Sequence, residues 1–371
     1  MGSFSPDPPK PWVETPLIFS PPLSRAAGCN IFLKLENCQP SGSFKSRGIG
    51  NMMSLALAAH SQTAFPHHAN GGDQPVHFYC SSGGNAGLAC ATTATALGAP
   101  ATIVVPTSTS AFMVSKLREL GAEVVQTGAS WAEADAYLRE TFLVPPEARP
   151  ENGAAERRVY VPPFDHPDIW AGASTLVDEI VNEMLVRKRP GGVDAIVCNV
   201  GGGGLLNGVM EGLERHRGLL LAGGPGVPRG PPKVLAVETV GAESLHASIQ
   251  AGELVTLPEI TSIATSLGAR RVSEKTWEWA TRAKEDLISA TVTDKEAAMA
   301  CVRFLDDARI LIEVACGATV ATAYNGALRR YLGKGLTDED WGERNVVLVV
   351  CGGSNTSWEI LDKYKKTYGI E

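Results

Sequence analysis

Three times the chain runs through the same order: an apolar stretch, a glycine-rich turn, then a helical stretch. The order appears as VHFYCSSGGNAGLACATTATALG at 76–98, AIVCNVGGGGLLNGVMEGLERH at 195–216 and VVLVVCGGSNTSWEILDKY at 346–364. A strand that feeds a helix, repeated along a chain, predicts a mainly parallel α/β fold, because parallel strands need a crossover to return. ATIVVP, AEVVQTG and KVLAVE read as further strands, and SAFMVSKLRELG and WAEADAYLRETF as amphipathic helices. In such sheets ligands bind beyond the carboxyl ends of the strands. All three glycine turns are placed there.

At 371 residues the chain is long enough for two domains at about 150 residues each. LVPPEARPENGAAERR at 143–158 reads as the hinge, while HSQTAFPHHANGGDQP (60–75) and RGLLLAGGPGVPRGPP (217–232) read as connecting loops. His67 and His68 lie in the first of these with no third ligand near, so a loop is expected rather than a metal site. A net charge of −7 with no basic stripe argues against a nucleic-acid partner. No apolar run reaches the roughly 18 residues that span a bilayer, and MGSFSPDPPKPW lacks the order of a signal peptide. The cytosol is the expected location. The eight cysteines are scattered without a C-x-x-C pair, and seven of them are expected to be reduced core residues, with Cys351 the one set apart.

The turns also carry chemistry. Gly201 to Gly204 follow a strand and open a helix, so backbone can approach an anion and the first free N–H groups can point at it. No Gly-Lys-Ser/Thr follows and no dinucleotide spacing is present, which leaves a phosphate cradle of another kind. Ser81, Ser82 and Asn85 add hydroxyls and an amide to the second turn, suited to a carboxylate and a ring oxygen or simply to capping a helix. Lys45, in PSGSFKSRGI, stands beside Phe44 with Arg47 two residues on. A reactive lysine joined to a phosphate cradle without a nucleotide signature points to pyridoxal 5′-phosphate.

SGSFKSRG, SSGGNAG, GGGGL, VETVGAES, ITSIATSLG and CGGSN, in that order from about Thr15 to Asn355, resemble the serine/threonine dehydratase family of fold-type-II pyridoxal phosphate enzymes, and in particular its fungal catabolic members. The resemblance implies a tryptophan synthase β-like fold of two open, mainly parallel α/β lobes with the cofactor between them. With the hinge above, residues 43–155 would form a small substrate-loop domain, and 1–42 with 156–371 a large cofactor-binding domain. It implies that Lys45 is the Schiff-base lysine and the base for the substrate's Cα proton. Phe44 would lie against the ring, Asn85 would bond its 3′-oxygen, and Ser82, Gly83 and Ala86, with Asn85, would hold the substrate carboxylate. Gly201, Gly202, Gly203, Gly204 and Leu205 would cradle the phosphate, and Cys351 would face the pyridine nitrogen. Glu238, Ala242 and Ser244, with the carbonyls of Leu267 and Ala269, would surround a monovalent cation such as K⁺. The implied activity is β-elimination from L-serine or L-threonine, giving pyruvate or 2-oxobutanoate and ammonia, in a homodimer.

The chain departs from the family at several places. Ala171 and Ala173 stand in WAGAS where the deaminases show Glu and His, Val314 stands where proline is usual, and Gly83 where some members carry alanine. These leave open a racemase, a β-replacement enzyme, an enzyme acting on another β-substituted amino acid, or a non-catalytic amino-acid sensor. Nothing after Lys363 resembles the added regulatory domain of biosynthetic threonine deaminases.

Overall fold

The computed structural model describes residues 10–63, 75–144, 156–186, 192–221 and 231–370. In chain order come β1 (Leu17–Phe19), α1 (Pro21–Ala27), β2 (Asn30–Lys34), α2 (Lys45–Thr63), β3 (Val76–Cys80) and α3 (Asn85–Leu97). Then follow β4 (Ala101–Val105), α4 (Ala111–Glu119), β5 (Glu123–Gln126), α5 (Trp131–Phe142), β6 (Arg157–Tyr160) and α6 (Pro167–Val186). Next are β7 (Ala195–Asn199), α7 (Gly204–Arg215), α8 (Arg217–Leu221), β8 (Lys233–Thr239), α9 (Ser244–Ala251) and α10 (Glu274–Arg282). The chain closes with β9 (Leu287–Val292), α11 (Asp294–Ala308), α12 (Val314–Tyr324), α13 (Ala327–Leu332), α14 (Asp338–Gly342), β10 (Asn345–Val349) and α15 (Trp358–Tyr368).

The chain divides into two compact units, one of residues 1–13 and 45–172, the other of 14–44 and 173–371. The first is built on a four-stranded sheet, β5-β4-β3-β6, parallel throughout. One face carries the larger buried cluster, in which Ile49 and Met53 of α2 meet Ala86 and Ala89 of α3 over Phe78 and Ile103. The other face packs Tyr79 and Val104 against Ala134 and Leu138 of α5. Alternation along β3 explains this, since Val76, Phe78 and Cys80 point one way and His77 and Tyr79 the other.

The second unit holds a six-stranded sheet ordered β1-β2-β10-β7-β8-β9, antiparallel only where β1 joins β2. β7 and β10 are buried along their whole length, as strands covered on both faces must be. The three glycine turns do follow strands, at the carboxyl ends of β3, β7 and β10.

Several expectations need correction. Residues 217–221 form α8 rather than loop, because Leu220 is buried and its N–H bonds back to the His216 carbonyl. α2 continues to Thr63, so 60–63 are helix rather than loop, and 64–74, with the paired His67 and His68, lie outside the described residues. β6 pairs with β3, so the first unit runs past the expected junction at 155 and ends inside α6 at Gly172; its other edge falls at Phe44/Lys45. Most of the hinge stretch, 145–155, lies outside the described residues. Of the seven cysteines expected in the core, six are buried and Cys38 is exposed; Cys351 is buried as well. No helix among the described residues is long and apolar enough to cross a membrane.

Candidate active site

Lys45 is the first residue of α2, and its place is set by unusually close helix packing. A Cβ on Gly172 of α6 would lie 2.4 Å from the Arg47 carbonyl oxygen, and one on Gly48 would lie 2.7 Å from the Ile169 carbonyl oxygen. Glycine at these two positions lets the first turns of α2 and α6 touch backbone to backbone. Asn51 adds a tie, its Nδ2 donating to the Asp168 carbonyl at 2.8 Å. The Lys45 ammonium then donates to the Pro163 carbonyl at 2.7 Å. No acidic residue stands in the first turn of α2, so the positive end of that helix works against a cation there.

In the same unit the second glycine turn opens α3. Its N-cap is Gly84, which gives no side-chain cap, in contrast to α4, α5, α10 and α11, each capped by a serine or threonine oxygen. The simple capping reading of Ser82 and Asn85 therefore does not hold. The Ser82 hydroxyl instead accepts from the Gly84 N–H at 3.3 Å. A Cβ on Gly87 would lie 1.8 Å from the Ser82 carbonyl oxygen, so the 82–84 loop folds tightly against the first turn of the helix. Asn85 and Ala86 are buried in that turn, whose early N–H groups have no partner within the helix. Ser81 is not part of this presentation: its hydroxyl donates to Asp135 at 2.6 Å.

The other unit assembles the remaining turns. Gly203, at φ +99°, is the N-cap of α7 and makes no side-chain cap. A Cβ there would lie 1.8 Å from Thr276 Oγ1. Thr276 donates to Asn207 Oδ1 at 2.9 Å, Asn207 donates to Ser273 at 3.0 Å, and the Ser273 N–H bonds the Gly202 carbonyl at 3.0 Å. The cradle is thus braced by the start of α10. Gly201 lies against the turn at 265–267, where a Cβ would meet Leu267 Cα at 3.2 Å. From that turn Ser266 Oγ accepts from Asn355 Nδ2 at 3.1 Å, which ties the 201–204 turn to the one after β10.

Cys351 closes this group. Asn199, the last residue of β7, donates to Cys351 Sγ at 3.1 Å and to the Ala315 carbonyl at 2.6 Å. The Phe44 N–H donates to the Cys351 carbonyl at 3.0 Å, and Ser43 bridges to Gly352. A hydrogen bond with Cys316, and then burial, push the Cys351 thiol well above its ordinary pKa, so it stays neutral. Glu313 fills the space beside Gly353, where a Cβ would lie 2.0 Å from its carboxyl carbon, and accepts the Asn355 N–H at 3.2 Å.

At the carboxyl end of β8 stand Glu238, Ala242 and Ser244, all buried. Glu238 accepts the N–H groups of Leu245 and His246 at 2.9 and 2.7 Å. Burial nonetheless pushes its carboxyl up to about 8, with Glu243 adding to the rise. The Leu267 carbonyl accepts the Ala269 N–H at 2.7 Å. Among the described residues no group of three or more His, Cys, Asp or Glu side chains forms a metal cluster.

Pyridoxal phosphate fits what is present. The uncapped α7 start, with Gly202, Gly203 and Gly204 buried behind it, offers amides to a phosphate. Ser43 Oγ is buried beside Phe44 without a hydrogen-bond partner among the described residues, a polar atom that a bound group could satisfy. Asn199, Asp135, Thr276 and Glu313 did not figure among the sequence candidates. Only Asn199 carried a signal, its place at a strand end two residues before the first glycine of a turn.

The comparisons agree with this chemistry. The family described as "Pyridoxal-phosphate dependent enzyme" matches residues 10–352, and the chain belongs to it. Over 359 residues the chain is 43% identical to "Serine dehydratase-like" from Homo sapiens, covering 96% of this chain and 95% of that one. It is 38% identical to "Catabolic L-serine/threonine dehydratase" from Saccharomyces cerevisiae, covering 91% and 86%. Its fold matches a fungal L-serine ammonia-lyase from Rhizomucor miehei with a TM-score of 0.78 at 35% identity, over 96% of this chain and 99% of that one. These relatives place the fold in the fold-type-II group expected above.

Proposed function

We propose that this protein is a pyridoxal phosphate-dependent ammonia-lyase that eliminates the β-hydroxyl of L-serine and L-threonine as water, the freed enamine then taking up water and releasing ammonia to give pyruvate and 2-oxobutanoate. The observation that carries this reading is the near end-to-end match to relatives named for serine and threonine dehydration, in a chain that keeps Lys45 and an uncapped glycine cradle.

Bound pyridoxal phosphate supplies an aldehyde that captures the substrate amine and a ring that takes up charge from Cα. The protein's residues do the rest. Gly201 to Leu205 hold the phosphate with backbone amides, Phe44 lies against the ring and Asn85 bonds the 3′-oxygen. Ser82, Gly83, Asn85 and Ala86 hold the substrate carboxylate, which fixes the direction of the Cα–H bond. Lys45 carries the cofactor and then takes the Cα proton at Nζ. Cys351, held neutral, cannot keep the ring nitrogen protonated as a carboxylate would. Elimination suits that limit, because the departing hydroxyl carries the charge away.

The departures at 171 and 173 bear on packing. Ala173 is buried, and a Cβ on Gly208 of α7 would lie 2.5 Å from its own Cβ. A histidine has no room there, so the loss of the family's residue accompanies a close α6–α7 approach. Ala171 is exposed.

Incubation with L-serine and L-threonine, following 2-oxo acid, ammonia, D-serine and thioether formed from added thiol, tests the activity. Equal amounts of 2-oxo acid and ammonia are expected. D-serine or thioether as the main product would replace this reading with racemisation or β-replacement, and a cofactor-loaded protein giving no product would leave a sensor.

A monovalent cation beside Glu238 is part of the proposal. A buried carboxyl with a raised pKa favours the fold below its unfolded value near 4.5, and that contribution is lost as pH rises through about 8. K⁺ would offset the loss, and the buried Ser244 hydroxyl, without a partner among the described residues, is placed to help hold it. At pH 8.5 the melting temperature is expected to be several degrees higher in K⁺ than in tetramethylammonium, and Glu238→Gln is expected to remove the difference. Equal melting temperatures in the two salts would remove the cation from the scheme. A homodimer in the cytosol completes the proposal, on the family resemblance.

A further inference from the structure

Asp135 belongs to none of the motifs above, yet, like Glu156 in the same unit, it is a carboxylate held by three side-chain partners. It sits on α5, buried, with three donors. The Ser81 hydroxyl donates to Oδ1 at 2.6 Å, the Tyr160 hydroxyl to the same oxygen at 2.7 Å, and Arg139 Nε to Oδ2 at 2.7 Å. The Arg139 guanidinium also lies 4.1 Å from the centre of the Tyr160 ring. Burial alone would raise this carboxyl; the bonds from Ser81, Arg139 and Tyr160 outweigh it and hold the group below its usual range. It is a fully satisfied charge, the arrangement in which a buried polar network rigidifies its surroundings.

What it rigidifies is specific. Ser81 is the residue directly after β3 and directly before the 82–84 loop, and Tyr160 ends the neighbouring strand β6. Asp135 therefore pins the last fixed point of the chain before the loop turns back over α3. The loop has no side-chain cap at Gly84; within it the Ser82 hydroxyl accepts the Gly84 N–H and the Ser82 carbonyl lies close over Gly87, so Ser81 is where a side-chain bond from another element holds its start. Ser81 offers its proton to Asp135, which removes it as a donor to a bound carboxylate. Arg139 balances the negative charge of Asp135.

We infer that Asp135, through Ser81, is a positioning residue that sets the affinity of the 82–86 loop for the substrate carboxylate. The inference rests on the reading of that loop given under the proposed function. It separates two roles that the sequence merges: Ser82 and its neighbours bind, whereas Ser81 aims them.

The test uses the cofactor-loaded, full-length protein and two readouts. Ser81→Ala cuts the tie while leaving Asp135 its bonds to Tyr160 and Arg139. It is expected to raise KM for L-serine about tenfold, the scale of one charge-assisted bond, with kcat within about twofold and the bound-cofactor absorbance unchanged. Hydrogen exchange at the amides of 83–86 is expected to speed by a similar factor, with α5 and β6 unchanged. Asp135→Ala should add nothing to KM once Ser81 is alanine. Tyr160→Phe removes a bond to the same carboxylate without touching the loop; it is expected to lower the melting temperature and leave KM alone. An unchanged KM or unchanged exchange in Ser81→Ala overturns the inference, as does a Tyr160→Phe variant that moves KM equally. Should the wild-type protein turn over no serine, the proposed function fails on that result, and the exchange measurement still decides the inference, since unchanged exchange overturns it.

Discussion

Lys45→Ala is expected to reduce elimination from L-serine by at least about 10²–10⁴-fold, the contribution of a placed general base, and to abolish the visible absorbance of cofactor joined to lysine. The two effects have separate causes. Loss of the covalent attachment removes the spectral band, whereas loss of the Cα base lowers the rate even when the cofactor is retained by its phosphate. Nζ is held at 2.7 Å from the Pro163 carbonyl at the start of α2. Added small amines should restore part of the rate without restoring the attachment. Turnover in the alanine variant close to that of the wild type would remove Lys45 from the mechanism.

Gly203→Ala should be nearly as severe for a different reason. At φ +99° an L-residue is strained, and its Cβ would lie 1.8 Å from Thr276 Oγ1. Left-handed backbone costs about 1–2 kcal/mol and overpacking about 1–3 kcal/mol. Thr276 cannot simply turn away, because it donates to Asn207 and bonds Ser273. The start of α7 must move instead, and with it the amides aimed at the phosphate. Pyridoxal phosphate is expected to be lost on dialysis, with a drop in melting temperature. Gly203→Ala combined with Thr276→Ala should recover part of the stability, since it relieves the collision and leaves the backbone strain. Cofactor retention equal to the wild type would show that the cradle does not depend on this turn.

How much of this was legible depended on whether a signal was local. β3, β7 and β10 were readable because each is an apolar run ended by glycines, and their carboxyl ends pointed to the site. β1, of three residues, and β6, RRVY, carry no such pattern; each exists because a neighbour accepts it, β2 in one case and β3 in the other. The candidate site divided the same way. Lys45 and the glycine turns could be named from chemistry written in consecutive letters. Glu313 against Gly353 and Asn199 on Cys351 join positions 40 and 152 residues apart, and nothing in either segment announces the other. Asp135 looked like one more charge on an amphipathic helix, and only its three donors reveal otherwise. Ser81 was misread because a hydroxyl beside a binding loop says nothing about which way it points.

The sheet order of the second unit has a consequence for biosynthesis. β2 pairs with β10, aligning Asn30 with Asn345, so the interior of that sheet cannot be completed until nearly the whole chain has left the ribosome. Residues 45–172, which form a compact unit with the short leading segment 1–13, are all made long before. During synthesis β1 and β2 wait as a two-stranded ribbon with an open edge, a state that is marginal in water and prone to wrong pairing. A chain cut short before β10 would leave that edge permanently unfilled. Long-range parallel pairing of this kind also folds slowly, so recovery of the protein from cells should depend on growth temperature and on chaperone supply more than its buried core alone would suggest.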